Sequence, residues 1–432
     1  MVAFLGLAQF ILIIINCLYE LRKKSVSVFL WAVLAVMFGI PHALATLIGA
    51  YKYSSSTMNE ASVFAILFCL IYLLMRYILT LNKVKNNNEK VTLSEEETNT
   101  MNKFMKILFF ILMIVVLARS IMIIRQGGGL LNTSWETMRA VSTSGYLSFS
   151  QIFITLFFVS SSCIILAIRL KNKKILFGGI LLILIEVIIS RNRIEILPIF
   201  VAIIYSYIYS HDKLKLKSII FLGIIGIVAI YIIYALRAFR HIGTFDNLIR
   251  NYDIKSFNDK VVTYFENDDG ELSLREYMYY FIENNNYFTD FGKGHTYKRM
   301  MLIFVPTKWS FNLKPTDFAI TMGKAVLPKS IGYSIHPTLF GDVYANFGTY
   351  GFVWGAFWAI FVSLVDKIIE KRNKIIYLPF ALNFGIAYVI EARGSVYNAF
   401  AWSVYGAIIL VFLYTIFKWV NNSERTFKKN NN

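Results

Sequence analysis

The chain has 432 residues, 57% of them hydrophobic, and carries 44 Lys and Arg against 26 Asp and Glu, a net charge of +18. Repeated apolar runs of about 17 to 25 residues exclude an ordinary soluble domain and indicate a polytopic membrane protein. In that setting the positive charge belongs to lysine-rich cytoplasmic loops facing anionic lipid, not to a nucleic-acid surface.

Eleven spans are predicted, at 2–19, 26–50, 61–81, 104–124, 149–168, 175–190, 194–210, 218–236, 346–365, 375–390 and 396–417. The first, Val2–Tyr19, has no basic segment before it and is followed by Glu20-Leu21-Arg22-Lys23-Lys24. It therefore reads as a span and not as a cleaved signal. Pro41-His42 inside the second predicts a kink with a satisfied histidine. Cys17, Cys69 and Cys163 all lie in apolar runs, so neither a disulfide framework nor metal-ligand spacing is visible. Asn82–Asn102 is polar and reads as a linker, Gln126-Gly127-Gly128-Gly129 as the start of a flexible outer loop.

The run Ile175–Ser210 would be about 54 Å long as one helix, against a hydrocarbon core of about 30 Å. The chain must turn at Ser190-Arg191-Asn192-Arg193-Ile194-Glu195. The connecting segments then alternate. Those holding Arg22–Lys24, Lys83–Lys103, Arg169–Lys174, Lys213–Lys217, Lys367–Lys374 and the tail from Lys418 share one lysine-dense side, the cytoplasmic one. The expected fold is thus an all-α polytopic integral membrane protein with its N-terminus outside and C-terminus cytoplasmic. It divides into helices with short loops over 1–236, a large extracytoplasmic loop over 237–345, and the last three helices with a short tail over 346–432.

Arginine is distributed against the positive-inside bias. On this topology 11 of the 16 arginines but only 9 of the 28 lysines fall outside. A guanidinium grips phosphate or carboxylate through a planar fork, which an ammonium cannot do, so an anionic partner is expected there. The outer loop is rich in aromatic residues, which suit sugar faces and the headgroup layer equally. Its acidic stretch Glu266-Asn267-Asp268-Asp269-Gly270-Glu271 lacks the spacing of a calcium loop and reads as a solvated turn.

Three polar clusters abut span ends on the outer side: Arg191/Arg193/Glu195, the run His336–Gly351, and Glu391-Ala392-Arg393-Gly394. Ionisable groups at membrane depth are costly and face a cavity or one another. Arginines gathered with a histidine and an aspartate at the lipid surface suit a lipid-linked diphosphate. They would bind its phosphates and stabilise the charge that develops as it leaves. His336 or Asp342 would accept the proton of an attacking sugar hydroxyl. Gly341, Gly348 and Gly351 would admit close backbone approach to substrate or simply let helices pack.

The Ser-Arg-x-Arg turn, the Val305-Pro306-Thr307-Lys308-Trp309…Lys314-Pro315 segment, the Gly341-Asp342-x-Tyr-x-Asn-Phe-Gly-x-x-Gly run and Arg393-Gly394 together resemble the bacterial oligosaccharide repeat-unit polymerases, the O-antigen and capsular polysaccharide polymerases of the flippase-dependent pathway. Members often carry Glu at the position of Asp342. The resemblance implies a GT-C-type glycosyltransferase of the bacterial cytoplasmic membrane, its site facing outward, using no nucleotide sugar, metal or other cofactor. The donor would be the growing glycan on undecaprenyl diphosphate, and the acceptor the non-reducing sugar of a new lipid-linked repeat unit. A flippase and a chain-length regulator would be its partners, with the lipid bilayer and no nucleic acid. Arg191 and Arg393 map onto the family's motif arginines; Arg193, Arg237, Arg240 and His336 are local inferences. Glu195 is expected to act as internal counter-charge to the arginine turn, with Lys314, Tyr344 and Asn346 contacting substrate or supporting the site. The related ligase, which moves finished glycan to another acceptor, shares the arginine-lined outer loop. A transporter such as the flippase would instead carry mid-span charges and repeated halves, and the clearest mid-span charge here is Glu186.

Overall fold

The structure is a computed structural model that describes residues 1–81, 93–127, 150–211, 215–266, 272–285, 294–326, 334–371 and 375–430. Most of the 82–102 linker, the glycines at 128–129 and the acidic turn at 267–271 lie outside the described residues.

Among the described residues every regular element is a helix. Nine are long and apolar enough to cross a membrane: α1 (Val2–Arg22), α2 (Val28–Ile48), α3 (Ser55–Leu81), α4 (Glu95–Gly127), α5 (Ile152–Arg169), α7 (Arg193–Ser210), α8 (Leu216–Ile242), the stretch Thr338–Glu370, and the helix opening at Val396. Two of the eleven expected spans are helices that fall short of this measure, α6 (Lys173–Ser190) and the later Tyr377–Ala392. The chain is therefore a multi-pass membrane protein by length and composition of its helices. Between α8 and the next span stand α9 (Phe245–Asn251), α10 (Ile254–Glu266), α11 (Glu276–Glu283), α12 (His295–Met301) and α13 (Phe318–Val326). The stretch Thr338–Glu370 comprises α14 (Thr338–Phe347), a 3₁₀ turn Gly348–Val353 and α15 (Trp354–Lys371). The chain ends in α16 (Tyr377–Ala392) and α17 (Val396–Asn430).

The helices sort into two compact units, each assembled from separate stretches of chain. The first comprises Met1–Glu89, Asp268–Ile368 and Ala387–Ala401. In it α1 lies against α2 and α3, and α11 packs on α3 and α14. Where the second span was expected to kink it contains a π-helical turn, Ala35–Gly39, just before Pro41. His42 is satisfied on both ring nitrogens, by Tyr279 Oη at 2.5 Å and Ser62 Oγ at 2.7 Å. Through Tyr279 it ties a span to α11 of the intervening segment.

An ion-pair network fastens three helices of the same unit. Arg76 of α3 is 1% exposed. It donates through Nε and Nη2 to Glu20 of α1 at 2.7 and 2.6 Å, and through Nη2 to Asp366 of α15 at 2.6 Å. Tyr72 donates to Glu20 at 2.9 Å, Ser25 to Asp366 at 2.8 Å, and Ser363 accepts from Arg76 at 2.8 Å. One guanidinium thus neutralises two carboxylates only in part. Arg76→Leu should destabilise the unit by about 3–5 kcal/mol, because it strands both carboxylates. Thermal unfolding of the purified protein checks this: adding Glu20→Gln and Asp366→Asn should recover most of the loss, and no recovery would mean that packing, not charge, is at stake.

The second unit comprises Lys90–Asn267, Ile369–Ile386 and Trp402–Asn432. Here α4 packs against α5 and α6, α5 against α6 and α7, and α8 against α10. Tyr234 and Ala238 of α8 meet Val261 of α10 in a small apolar cluster.

Candidate functional site

The candidate residues fall in both units. Arg191, Arg193, Glu195, Arg237 and Arg240 belong to the second; Lys314, His336, Asp342, Tyr344, Asn346 and Arg393 belong to the first.

In the second unit the apolar run turns where its charges predicted. Helix α6 ends at Ser190, and Arg191 follows in the left-handed conformation, φ 51° and ψ 23°. Asn192 is extended and its Oδ1 accepts from Ile194 N at 3.3 Å, starting the 3₁₀ turn Arg193–Ile196 that leads into the rest of α7. An arginine in the left-handed region is unusual, since its Cβ crowds the backbone there. Arg191 is nevertheless buried, with its guanidinium 4.8 Å from the ring centroid of Phe239. Phe239 is in the closing turns of α8, which continues to Ile242 and so carries Arg237 and Arg240 within the helix. The Arg237 guanidinium lies 5.4 Å from the ring centroid of Tyr264 on α10.

Glu195 forms an ion pair with Arg119 of α4, at 2.6 Å. Arg119 also holds Glu186 of α6 at 2.8 Å, and Ser190 Oγ and Asn192 Nδ2 donate to Glu195, the latter at 3.1 Å. Glu186 and Glu195 are both fully buried. Arg119 thus bridges two buried carboxylates at the turn, while Arg191, next to them in the chain, turns its guanidinium to Phe239. Arg119 lies within the predicted fourth span, and an ionisable residue at that depth was the signal that could have marked it.

In the first unit the second and third clusters meet. The Arg393 carbonyl accepts from Thr338 N at 3.2 Å, joining the α16–α17 turn to the start of α14. Thr338 has φ 62° and Gly394 φ 96°. A Cβ on Gly394 would stand 2.4 Å from Thr338 N and 2.8 Å from Pro337 N. This contact sets His336 and Arg393, both half-buried, on adjoining backbone segments. Two glycines of the run are closely packed: a Cβ on Gly341 would meet Pro337 Cβ at 2.9 Å, and one on Gly351 would meet the Val343 carbonyl at 2.9 Å.

Asp342 is 1% exposed. Its Oδ2 accepts from Thr296 Oγ1 at 3.0 Å and its Oδ1 from Asn346 Nδ2 at 3.2 Å. Asn346 also accepts from Thr296 N at 3.0 Å, and its carbonyl accepts from Gly294 N at 3.0 Å. Asp342 and Asn346, one helical turn apart, thus pin the first turn of α12. Tyr344 points elsewhere, donating to Glu60 of α3 at 2.6 Å, with Thr349 on the same oxygen at 2.9 Å. Glu391 is buried and within electrostatic reach of Asp342. Burial, with Asp342 beside it, holds the Tyr297 phenol well above its usual range, so it remains protonated at neutral pH.

Helix α12 carries two residues that sequence reasoning did not place in the site. His295 Nε2 donates to the Thr316 carbonyl at 2.7 Å, which fixes its tautomer. Burial lowers its pKa, opposed by that hydrogen bond and reinforced by the charge of Arg299, so the ring is neutral at pH 7. Arg299 lies over Tyr397 at 4.4 Å, and Lys314 stands 6.0 Å from the same ring while donating to the Val305 carbonyl at 2.8 Å. No sequence period links residues 299, 314 and 397; only the fold brings them to one ring.

No protein-family profile, no curated protein and no solved structure matches this chain.

Proposed function

We propose that the chain is a membrane glycosyltransferase that polymerises undecaprenyl-diphosphate-linked oligosaccharide repeat units at the outer face of the bacterial cytoplasmic membrane. The observation that carries this reading is the turn at Arg191. Arg191 and Arg193 stand there in sequence, Arg191 buried with its guanidinium over Phe239, while the two buried carboxylates of the turn are bridged by Arg119. Arg237 and Arg240 add two further positive charges in the closing turns of α8, the turns that place Phe239 against Arg191. Such an excess of guanidinium at the end of apolar helices suits a multiply charged anion carried by a lipid, and a diphosphate is the anion that matches it.

On this reading the protein has eleven spans, a GT-C-type arrangement, its N-terminus outside and its C-terminus in the cytoplasm. The acceptor hydroxyl attacks the anomeric carbon of the growing chain. A carbon–oxygen bond to the acceptor forms as the bond to the diphosphate breaks, and undecaprenyl diphosphate leaves with the bonding electrons. The arginines stabilise the charge gathering on the leaving oxygens. Half-buried His336 is the residue suited to take the hydroxyl proton. Asp342, with both oxygens occupied by Thr296 and Asn346, acts by positioning α12.

Deletion of the gene tests the reading. Single lipid-linked repeat units should accumulate in the outer leaflet of the cytoplasmic membrane. Accumulation in the inner leaflet would identify a flippase, and accumulation of full-length polymer still on its lipid would identify a ligase.

A further inference from the structure

The segment from α12 to α13, within the first unit, combines two features that the proposed reaction does not use. The first is a pair of cations on one ring. Arg299 and Lys314 both stand at Tyr397, 4.4 and 6.0 Å from its centroid. Each is anchored by backbone: Arg299 donates to the Pro315 carbonyl, and Lys314 to those of Val305 at 2.8 Å and Ile303 at 3.5 Å. Burial and then the repulsion of Arg299 lower the Lys314 pKa. Asp317, the acid nearest in sequence, is engaged in capping α13, its Oδ1 accepting from Ala319 N at 2.9 Å. The Arg299 Nε donor is shut off from solvent yet has no hydrogen-bond partner among the described residues. Two like charges held at one ring, with a buried donor left over, are a setting that favours an anion.

The second feature is apolar. Met301, Phe304, Trp309, Phe311 and Leu313 are all exposed, Phe311 to 90% and Leu313 to 71%. They are not loosely displayed. Trp309 N donates to Pro306 O at 2.9 Å, Leu313 N to Ser310 O at 2.8 Å, and Phe311 and Asn312 both take left-handed φ values, 48° and 63°. Such strain is kept only where the surroundings impose it, and here it turns large apolar side chains outward. Met301 and Leu313 offer nothing to a sugar hydroxyl; hydrocarbon is the surface that matches them. Depth agrees. Tyr397 lies in the first turn of a helix apolar enough to cross a membrane, so the cations at its ring stand at headgroup level.

We propose that residues 299–314 form a membrane-docking loop. Its Trp309–Leu313 tip enters the boundary between headgroups and acyl chains, and Arg299 with Lys314 clasps the phosphodiester of an anionic phospholipid of the bilayer. The phosphate supplies the acceptor for Arg299 Nε and relieves the repulsion between the two cations. The exposed apolar side chains lie where their transfer out of water is favourable. This assignment stands whether or not the chain is a polymerase.

Two measurements test it on the full chain in nanodiscs of phosphatidylcholine with phosphatidylglycerol. First, a nitroxide on Phe311→Cys, with Cys17, Cys69 and Cys163 replaced by alanine, should relax with oxygen and be shielded from a water-soluble nickel chelate. Nickel access would overturn the proposal. Second, native mass spectrometry should show phosphatidylglycerol retained over phosphatidylcholine. Retention should fall about fivefold for each charge removed in Arg299→Gln and Lys314→Gln, and less in Arg299→Lys. Retention unchanged in the double variant, or retention of a polyprenyl diphosphate or an acidic oligosaccharide in place of phosphatidylglycerol, would overturn it. If the double variant fails to fold, the nitroxide measurement decides alone.

Discussion

Gly394→Val is expected to disrupt the first unit outright and not merely to slow a reaction. Two independent costs coincide at this position. The backbone is left-handed, φ 96°, a region that β-branched residues avoid. A Cβ would also sit 2.4 Å from Thr338 N and 2.9 Å from Thr338 Cα, well inside contact distance of main chain that has no rotamer by which to yield. Relief would require the α16–α17 turn to withdraw from α14, which breaks the hydrogen bond from Thr338 N to Arg393 O and separates His336 from Arg393. Strain of this kind, with packing lost around it, costs about 3–5 kcal/mol. Thermal unfolding in detergent should show a large drop in midpoint for valine and a nearly equal one for alanine, since the first added carbon already clashes. A parent-like midpoint in Gly394→Ala would show that the turn does not approach α14 this closely.

How much of this could be read from sequence differed by kind of feature. Apolar runs report helices facing lipid because lipid imposes composition on every residue of a span. Runs such as Val2–Tyr19 therefore coincide with helices, and the charges at 191–193 mark the turn that splits Ile175–Ser210. Partners are another matter. His42 was expected to be satisfied, but Tyr279, one of its two partners, lies more than 200 residues away in sequence. Glu195 reads as a counter-charge within its own turn, and its ion pair with Arg119 is reached only when α4 packs on α6. Asp342 reads as a catalytic candidate because carboxylates near arginines so often are. In the fold its oxygens are engaged by Thr296 and Asn346, a contact no spacing announces. Gly394 stood out only as half of an Arg-Gly pair, and the reason for glycine is the Pro337–Thr338 backbone pressed against it.

Arg191 offers the sharpest separation of function from fold, through two substitutions with opposite physical consequences. Arg191→Lys keeps a positive charge and the left-handed backbone but loses the planar fork. Arg191→Gly removes the charge and relaxes the backbone, because glycine adopts φ 51° without a Cβ clash. The left-handed strain that glycine relieves, about 1–3 kcal/mol, offsets the guanidinium's contact with Phe239, worth about 0.5–2 kcal/mol, so the glycine variant should still fold. Glycan polymerisation should nevertheless fall in both variants by about 100-fold or more, the loss typical of removing one donor that stabilises developing charge. Transfer of glycan between purified lipid-linked repeat units measures this alongside the unfolding midpoint. Full activity in Arg191→Lys would reduce the residue's role to simple charge, and an unfolded Arg191→Gly would make it structural. Arg119→Gln supplies the contrast. It leaves Glu186 and Glu195 buried with their shared cation gone, so stability should be lost before any question of catalysis arises. A turn built for binding should tolerate loss of Arg191 and not loss of Arg119, whereas a turn built only to hold α6 against α7 should be weakened by either.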